Sequence, residues 1–136
     1  RAIREFVEEG GGYVGVCAGG KLATTNFDGS LGLINAQTLS DKRQSPGPDG
    51  VMTVDMGKRG SGTVNMELTD AGRKIFAGQP GLIETGFHLG PVFLPNLQSD
   101  LPRCLPLGEY RSEVWLHKLQ IGTMVNSPSI LAAQYG

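Results

Sequence analysis

The chain opens on a helical period. In "RAIREFVEE" the apolar residues Ile3, Phe6 and Val7 fall on one face and the charges on the other. Gly10, Gly11 and Gly12 then stop the helix, because glycine enters the left-handed cap conformation without a Cβ penalty. "YVGVC", residues 13–17, reads as a short buried strand. "AGGKLATTNF", residues 18–27, reads as a helix that follows it with almost no loop. Helix, strand, helix is part of a βαβ pattern without its first strand.

Further on the period changes. "DKRQSPGPDG", residues 41–50, is polar and rich in proline and glycine, and predicts a loop. "VMTVDM" and "GTVNMEL" alternate, the second placing Val64, Met66 and Leu68 on one face, with "GKRGS" as the turn between them. "TDAGRKIFAG" predicts a short helix with Thr69 or Asp70 as N-cap and Gly78 as stop. "LIETGFHLGPVF" predicts a strand running into a Gly-Pro turn, and "LPNLQSDLPRCLPLG" a proline-rich loop. "EYRSEVWLHK" reads as another strand, with Arg111 and Glu113 as an exposed cross-strand pair. "GTMVNSPSILAAQYG" reads as two strands joined at Ser127 and Pro128.

Composition narrows the function classes. At 136 residues the chain suits one domain with one sizeable core. A net charge of −1, from 12 basic and 13 acidic residues, gives no basic stripe for nucleic acid and no acidic tail for a cationic partner. No apolar run is long enough to cross a membrane, and no signal-peptide core is visible. The chain begins at Arg1 rather than Met, so its compartment is not readable from the N-terminus. Two cysteines, Cys17 and Cys104, are too few for a disulfide framework. Without a C-x-x-C, an H-x-x-x-H or a Cys/His cluster, the chain offers no zinc-ligand spacing, and neither a metal nor a cofactor is expected. Cys104, between Pro102 and Pro106, reads as an ordinary loop thiol.

Cys17 differs because of its neighbours. Gly15 and Gly19 flank it at two residues on either side, giving G-x-C-x-G at a strand-to-helix junction. In a nucleophile elbow the residue at the turn takes strained, left-handed angles and stands above the sheet edge, so its neighbours two positions away must be small. The helix behind it would turn its N-terminus toward the thiol and favour the thiolate. The backbone N–H of Ala18 could donate to an oxyanion. The plainer reading of the same residues is a buried cysteine at the end of a core strand.

"IREFVEEGGGYVGVCAGGKLA" resembles the nucleophile-elbow segment of class I glutamine amidotransferase-like proteins. More narrowly, it is similar to the family named after the N-terminal domain of biotin–protein ligases, through Gly11-Gly12-Tyr13-Val14-Gly15-Val16-Cys17-Ala18-Gly19. "LGLINAQT", "KRGSGTVNMELTDAGRKIF", "GPVF" and "GTMVNSPSILAAQYG" have counterparts in the same order. The resemblance implies an α/β, flavodoxin-like three-layer sandwich with a partly antiparallel β insertion. It implies a thiol-dependent amidase or amidotransferase-type hydrolase, with Cys17 as nucleophile and the Ala18 N–H in the oxyanion hole. Its substrate would be a small molecule or another amide, and a homo-oligomer or a larger complex is open.

Two pieces of the family pattern have no counterpart here. A Gly-rich turn that gives the second oxyanion donor would precede Arg1. A His-Pro-Glu-like segment that gives the base and its orienting carboxylate would follow Gly136. The expectation is therefore an internal piece, residues 1–136, of one such domain. His88, in "FHLGPVF", is expected with Gly90 to line the pocket, and otherwise to be a strand-end histidine with one hydrogen bond. His117, beside Trp115, reads as a surface or half-buried strand position, and neither histidine is expected to be the base. The competing function class is a non-catalytic regulatory or binding domain that keeps the elbow as architecture, possibly within a larger assembly.

Overall fold

The computed structural model of the chain describes residues 2–39, 42–47, 49–55, 60–114 and 124–135. Its first helix, α1 (Ala2–Glu8), buries Val7 and ends as the glycines require. Gly10 takes φ 96, its N–H bonds the Val7 carbonyl at 3.0 Å, and the Gly11 N–H reaches back to Phe6 at 2.9 Å. That pair of bonds is a Schellman cap, which satisfies carbonyls that the last turn would leave free.

Residues 11–16 follow without regular secondary structure, so the expected strand at 13–17 does not form. Among the described residues they belong to no ladder. α2 (Ala18–Leu22) is likewise shorter than the ten-residue helix expected. Beyond Leu22 come two β-branched threonines, and the Thr24 hydroxyl donates to the Lys21 carbonyl at 2.7 Å. Such local bonds compete with helix continuation. Asn26 then ties the loop to the next strand, donating to the Thr38 carbonyl at 2.8 Å and accepting from the Thr38 N–H at 3.0 Å.

The rest is mostly antiparallel sheet, and the whole is a mixed α/β fold with little helix. β1 (Ala36–Thr38) pairs with β6 (Phe93–Pro95). β2 (Lys42–Gly47), in the stretch 41–50 read as a loop, forms a hairpin with β3 (Gly50–Asp55), which coincides with the alternating stretch "VMTVDM". Gly50, at φ 120, enters its return strand, and Pro46 stands in a ribbon of only two strands, where a missing N–H is tolerated. The main sheet runs in the order β5–β4–β7–β8, built from β5 (Leu82–His88), β4 (Ser61–Leu68), β7 (Leu105–Tyr110) and β8 (Pro128–Ala132). α3 (Asp70–Ile75) connects β4 to β5, with Thr69 as its N-cap accepting from the Gly72 N–H at 3.1 Å. Every ladder among the described residues is antiparallel.

Two apolar clusters hold these pieces. Val64, Phe87, Val92, Val114 and Met124 pack under the main sheet, where Phe87 meets Tyr110 edge-on at 5.8 Å. Val7, Ala23 and Leu33 form a second cluster with Tyr13 and Tyr135 against it. The Tyr135 ring lies under the Arg4 guanidinium, and its hydroxyl accepts from Arg4 Nε at 2.8 Å and donates to Glu8 at 3.1 Å. The end of the described chain is thereby fastened to the first helix.

Three further expectations change. β7 occupies the end of the proline-rich stretch read as a loop, and of "EYRSEVWLHK" only Glu109 and Tyr110 are strand among the described residues. Arg111 does not pair with Glu113. It bonds Glu67 of the neighbouring β4 at 2.6 Å and Glu109, two residues before it, at 2.8 Å, while buried Glu113 accepts from the Met124 N–H at 3.4 Å. Of the two strands expected in "GTMVNSPSILAAQYG", β8 is present and residues 124–127 form a turn, while 122 and 123 lie outside the described residues. Trp115 and His117 also lie outside them.

Candidate functional site: a cysteine at a strained turn

The geometry at Cys17 follows from the glycines before it. With no side chain at Gly15, the segment before Cys17 and the start of α2 close on each other. A Cβ there would stand 2.5 Å from the Gly19 carbonyl carbon and oxygen and 2.8 Å from the Gly20 nitrogen. The Tyr13 hydroxyl fastens the same turn by donating to the Gly19 carbonyl at 2.7 Å. The chain reverses at Cys17 with φ 54 and ψ −113, a positive-φ position for a residue that carries a Cβ. Such a conformation costs about 1–3 kcal/mol and persists where its surroundings over-determine it.

The two flanking glycines are not equivalent. A Cβ at Gly19 would meet only the Tyr13 hydroxyl, at an ordinary 3.6 Å. The tight position on the helix side is Gly20, where a Cβ would stand 3.2 Å from the Phe93 ring and 3.4 Å from the Gly15 carbonyl oxygen. The close approaches therefore fall at Gly15, within the five-residue motif, and at Gly20, one residue beyond it. The second glycine of "AGG" was the available signal.

Cys17 is exposed, and its thiol donates to the His88 carbonyl oxygen at 3.9 Å. The Ala18 N–H has no acceptor among the described residues. The His88 ring is occupied elsewhere: its Nδ1 lies 2.5 Å from Ser61 Oγ, across the β4–β5 ladder. His88 thus meets Cys17 through its backbone and not its imidazole, as a strand-end histidine with one hydrogen bond. Leu89, next in the chain, is a second residue at positive φ, with φ 51. Its N–H bonds the Gly60 carbonyl at 3.1 Å and holds the bend that turns the His88 carbonyl toward Cys17. Gly90 is buried, and a Cβ there would press on the Phe87 ring at 3.1 Å.

These elements border a groove of about 1010 Å³. Residues 10–17 form one wall and residues 129–135 another, while Phe87, His88, Gly90 and Phe93 also line it. The lining contains no Asp, Glu, Lys or Arg. No imidazole or carboxylate among the described residues bonds Cys17 Sγ, and no group of three or more metal-ligating side chains occurs among them. No helix among them is long and apolar enough to cross a membrane.

The second cysteine is set differently. Cys104 is buried, its thiol donates to the Asn35 carbonyl at 3.3 Å, and burial pushes that thiol above its usual range. It is no loose loop thiol. Asn35 and Asn96 organise the proline-rich stretch around it, with the Cys104 N–H on Asn96 Oδ1 at 2.8 Å and Asn35 Nδ2 on the Gln98 carbonyl at 2.6 Å. Compared with protein-family models, curated proteins and solved structures, the chain matches none.

Proposed function

We propose that Cys17 is the nucleophile of a thiol-dependent amide hydrolase or amidotransferase-like domain. The observation that carries this reading is the backbone of Cys17, at positive φ immediately before a helix, with the thiol exposed and Gly15 in close backbone contact. The sequence resemblance to class I glutamine amidotransferase-like proteins agrees with that geometry. On this reading the whole domain is a flavodoxin-like three-layer sandwich, and residues 11–16 are its elbow strand.

The chemistry is acyl transfer. Sγ attacks the carbonyl carbon of an amide, a C–S bond forms and the C–N bond breaks. The thiol proton leaves with the amine, and water then hydrolyses the thioester and returns the thiol. On this reading the Ala18 N–H bonds the oxyanion of each tetrahedral intermediate. The described residues supply no base to Sγ, so that role falls to a group outside them. The same observation favours a second reading, a binding domain in which the elbow is architecture alone.

Alkylation separates the two. Iodoacetamide at neutral pH, followed by peptide mass spectrometry, measures Cys17, Cys104 and a free blocked cysteine side by side. The proposal expects Cys17 to outrun the free thiol. It expects Cys104 to lag by about two orders of magnitude, because that thiol must first be exposed by local opening. A Cys17 rate no faster than the free thiol overturns the catalytic reading and leaves the architectural one.

A further inference from the structure

Four non-glycine residues take positive φ among the described residues: Cys17, Leu89, Asn96 and Asn126. Asparagine enters that region readily, and Cys17 is held there by the close contact at Gly15. Leu89 has neither reason. Its side chain is 63% exposed, so burial does not hold it at φ 51. What that angle does is aim one peptide. The His88 carbonyl points at the Cys17 thiol, and the Leu89 N–H, on the opposite side of the same trans peptide, bonds the Gly60 carbonyl.

Both ends of that peptide are fixed. His88 is paired with Ser61 in the β4–β5 ladder, and its ring bonds Ser61 Oγ. Gly90 lies buried against the Phe87 ring. A half-turn of the peptide plane between the His88 and Leu89 Cα atoms therefore moves little else. It carries Leu89 from φ 51 into the extended region at negative φ, which any residue adopts. It also exchanges the two polar groups, so that an N–H faces Sγ where a carbonyl stood. The cost is the Leu89–Gly60 bond and a carbonyl turned toward the Gly60 carbonyl, which keeps the observed arrangement as the resting one.

We propose that the His88–Leu89 peptide is a two-position switch on Cys17, with the carbonyl inward for the thiol and the Leu89 N–H inward for the thiolate. When the thiol gives its proton to solvent or a base, the carbonyl oxygen repels the sulfur. The N–H instead donates to it in a charge-assisted bond, which is stronger than a neutral one. An equilibrium shifts only as far as its two states differ in their interaction with the charge, and here an acceptor is exchanged for a donor. The switch deepens the reading of Cys17 as nucleophile and rests on it, because it prepares the sulfur for attack.

The test uses the 136-residue chain and three substitutions of that exposed side chain. Leu89→Gly and Leu89→Asn favour positive φ and so the inward carbonyl, whereas Leu89→Val opposes it, because a β-branched residue is strained there. Cys17 alkylation by iodoacetamide at neutral pH should slow about threefold or more in the first two and quicken about threefold or more in the third. Protection of the residue 89 amide from hydrogen exchange should rise in the first two and fall in the third, since that N–H reaches Gly60 only with the carbonyl inward. Cys104 alkylation, which reports opening of the fold, should stay within about twofold throughout. A Cys17 rate that moves in the same direction in Leu89→Asn and Leu89→Val, or in neither, overturns the switch. So does a quickening in Leu89→Val that Cys104 shares, because unfolding then accounts for it. The unsubstituted rate against a free thiol tests the nucleophile reading instead, so the two fail separately.

Discussion

Replacing Gly15 by alanine tests whether the elbow is held by backbone contact. The new Cβ would stand 2.5 Å from the Gly19 carbonyl and 2.8 Å from the Gly20 nitrogen. Ordinary contact needs about 3.5 Å, so the segment before Cys17 and α2 must part by roughly 1 Å. Both sides are main chain, and no side-chain end can swing away. Overpacking of this kind costs about 1–3 kcal/mol, offset by about 0.4–1 kcal/mol from the lower entropy of the unfolded chain. The net, about 1–2 kcal/mol, falls on the turn itself. Two amides report it: Gly19 N–H on the Val16 carbonyl at 2.9 Å and Lys21 N–H on the Cys17 carbonyl at 3.0 Å. Their hydrogen exchange should accelerate by about 5- to 30-fold. Gly12→Ala is the control, because nothing lies within 4 Å of a Cβ there, and its rates should stay within about twofold. Unchanged exchange in folded Gly15→Ala would refute the close-contact account of the elbow.

Other consequences concern the scaffold. Gly72→Ala should destabilise the protein by about 3 kcal/mol or more in urea titrations, because its Cβ would fall on the Leu107 carbonyl of β7. Thr69→Ala should cost about 1–2 kcal/mol by the same assay, since the hydroxyl both caps α3 and donates to the Pro106 carbonyl at 2.8 Å. Stability should fall as pH rises above about 9, because burial raises the Cys104 thiol above its ordinary 9.0 and the Tyr110 hydroxyl above its ordinary 10.0. The unfolded chain then holds fewer protons than the native one, so the slope of stability with pH is negative there. Tyr110→Phe keeps the ring against Phe87 and should flatten the slope; an unchanged slope would remove Tyr110 from the account.

Where an element depends on neighbours within a few residues, the sequence was readable. The glycine stop after α1, the Thr69 cap of α3, the strand β4 with Val64 and Leu68 buried, and the positive φ at Cys17 all appear in the structure. Each rests on a glycine, a hydroxyl or a period of two, which act locally. Prolines misled where their positions were harmless. Pro106 belongs to β7, yet it lies beyond the ladder with β4 and beside a register shift with β8, so its missing N–H breaks little.

What only the tertiary structure decided is which distant groups meet. Arg111 finds Glu67 rather than Glu113 because β4 and β7 are paired neighbours and the side chains share an edge. The His88 imidazole goes to Ser61 because the β4–β5 register places those residues opposite each other, leaving only the carbonyl for Cys17. "YVGVC" has the residues of a strand, but a strand is completed by a partner's hydrogen bonds, and none of the described segments forms a ladder with it. Local sequence determines the angles a backbone can take. Pairing depends on what the rest of the chain brings alongside, which no spacing within "GGGYVGVCAGG" records.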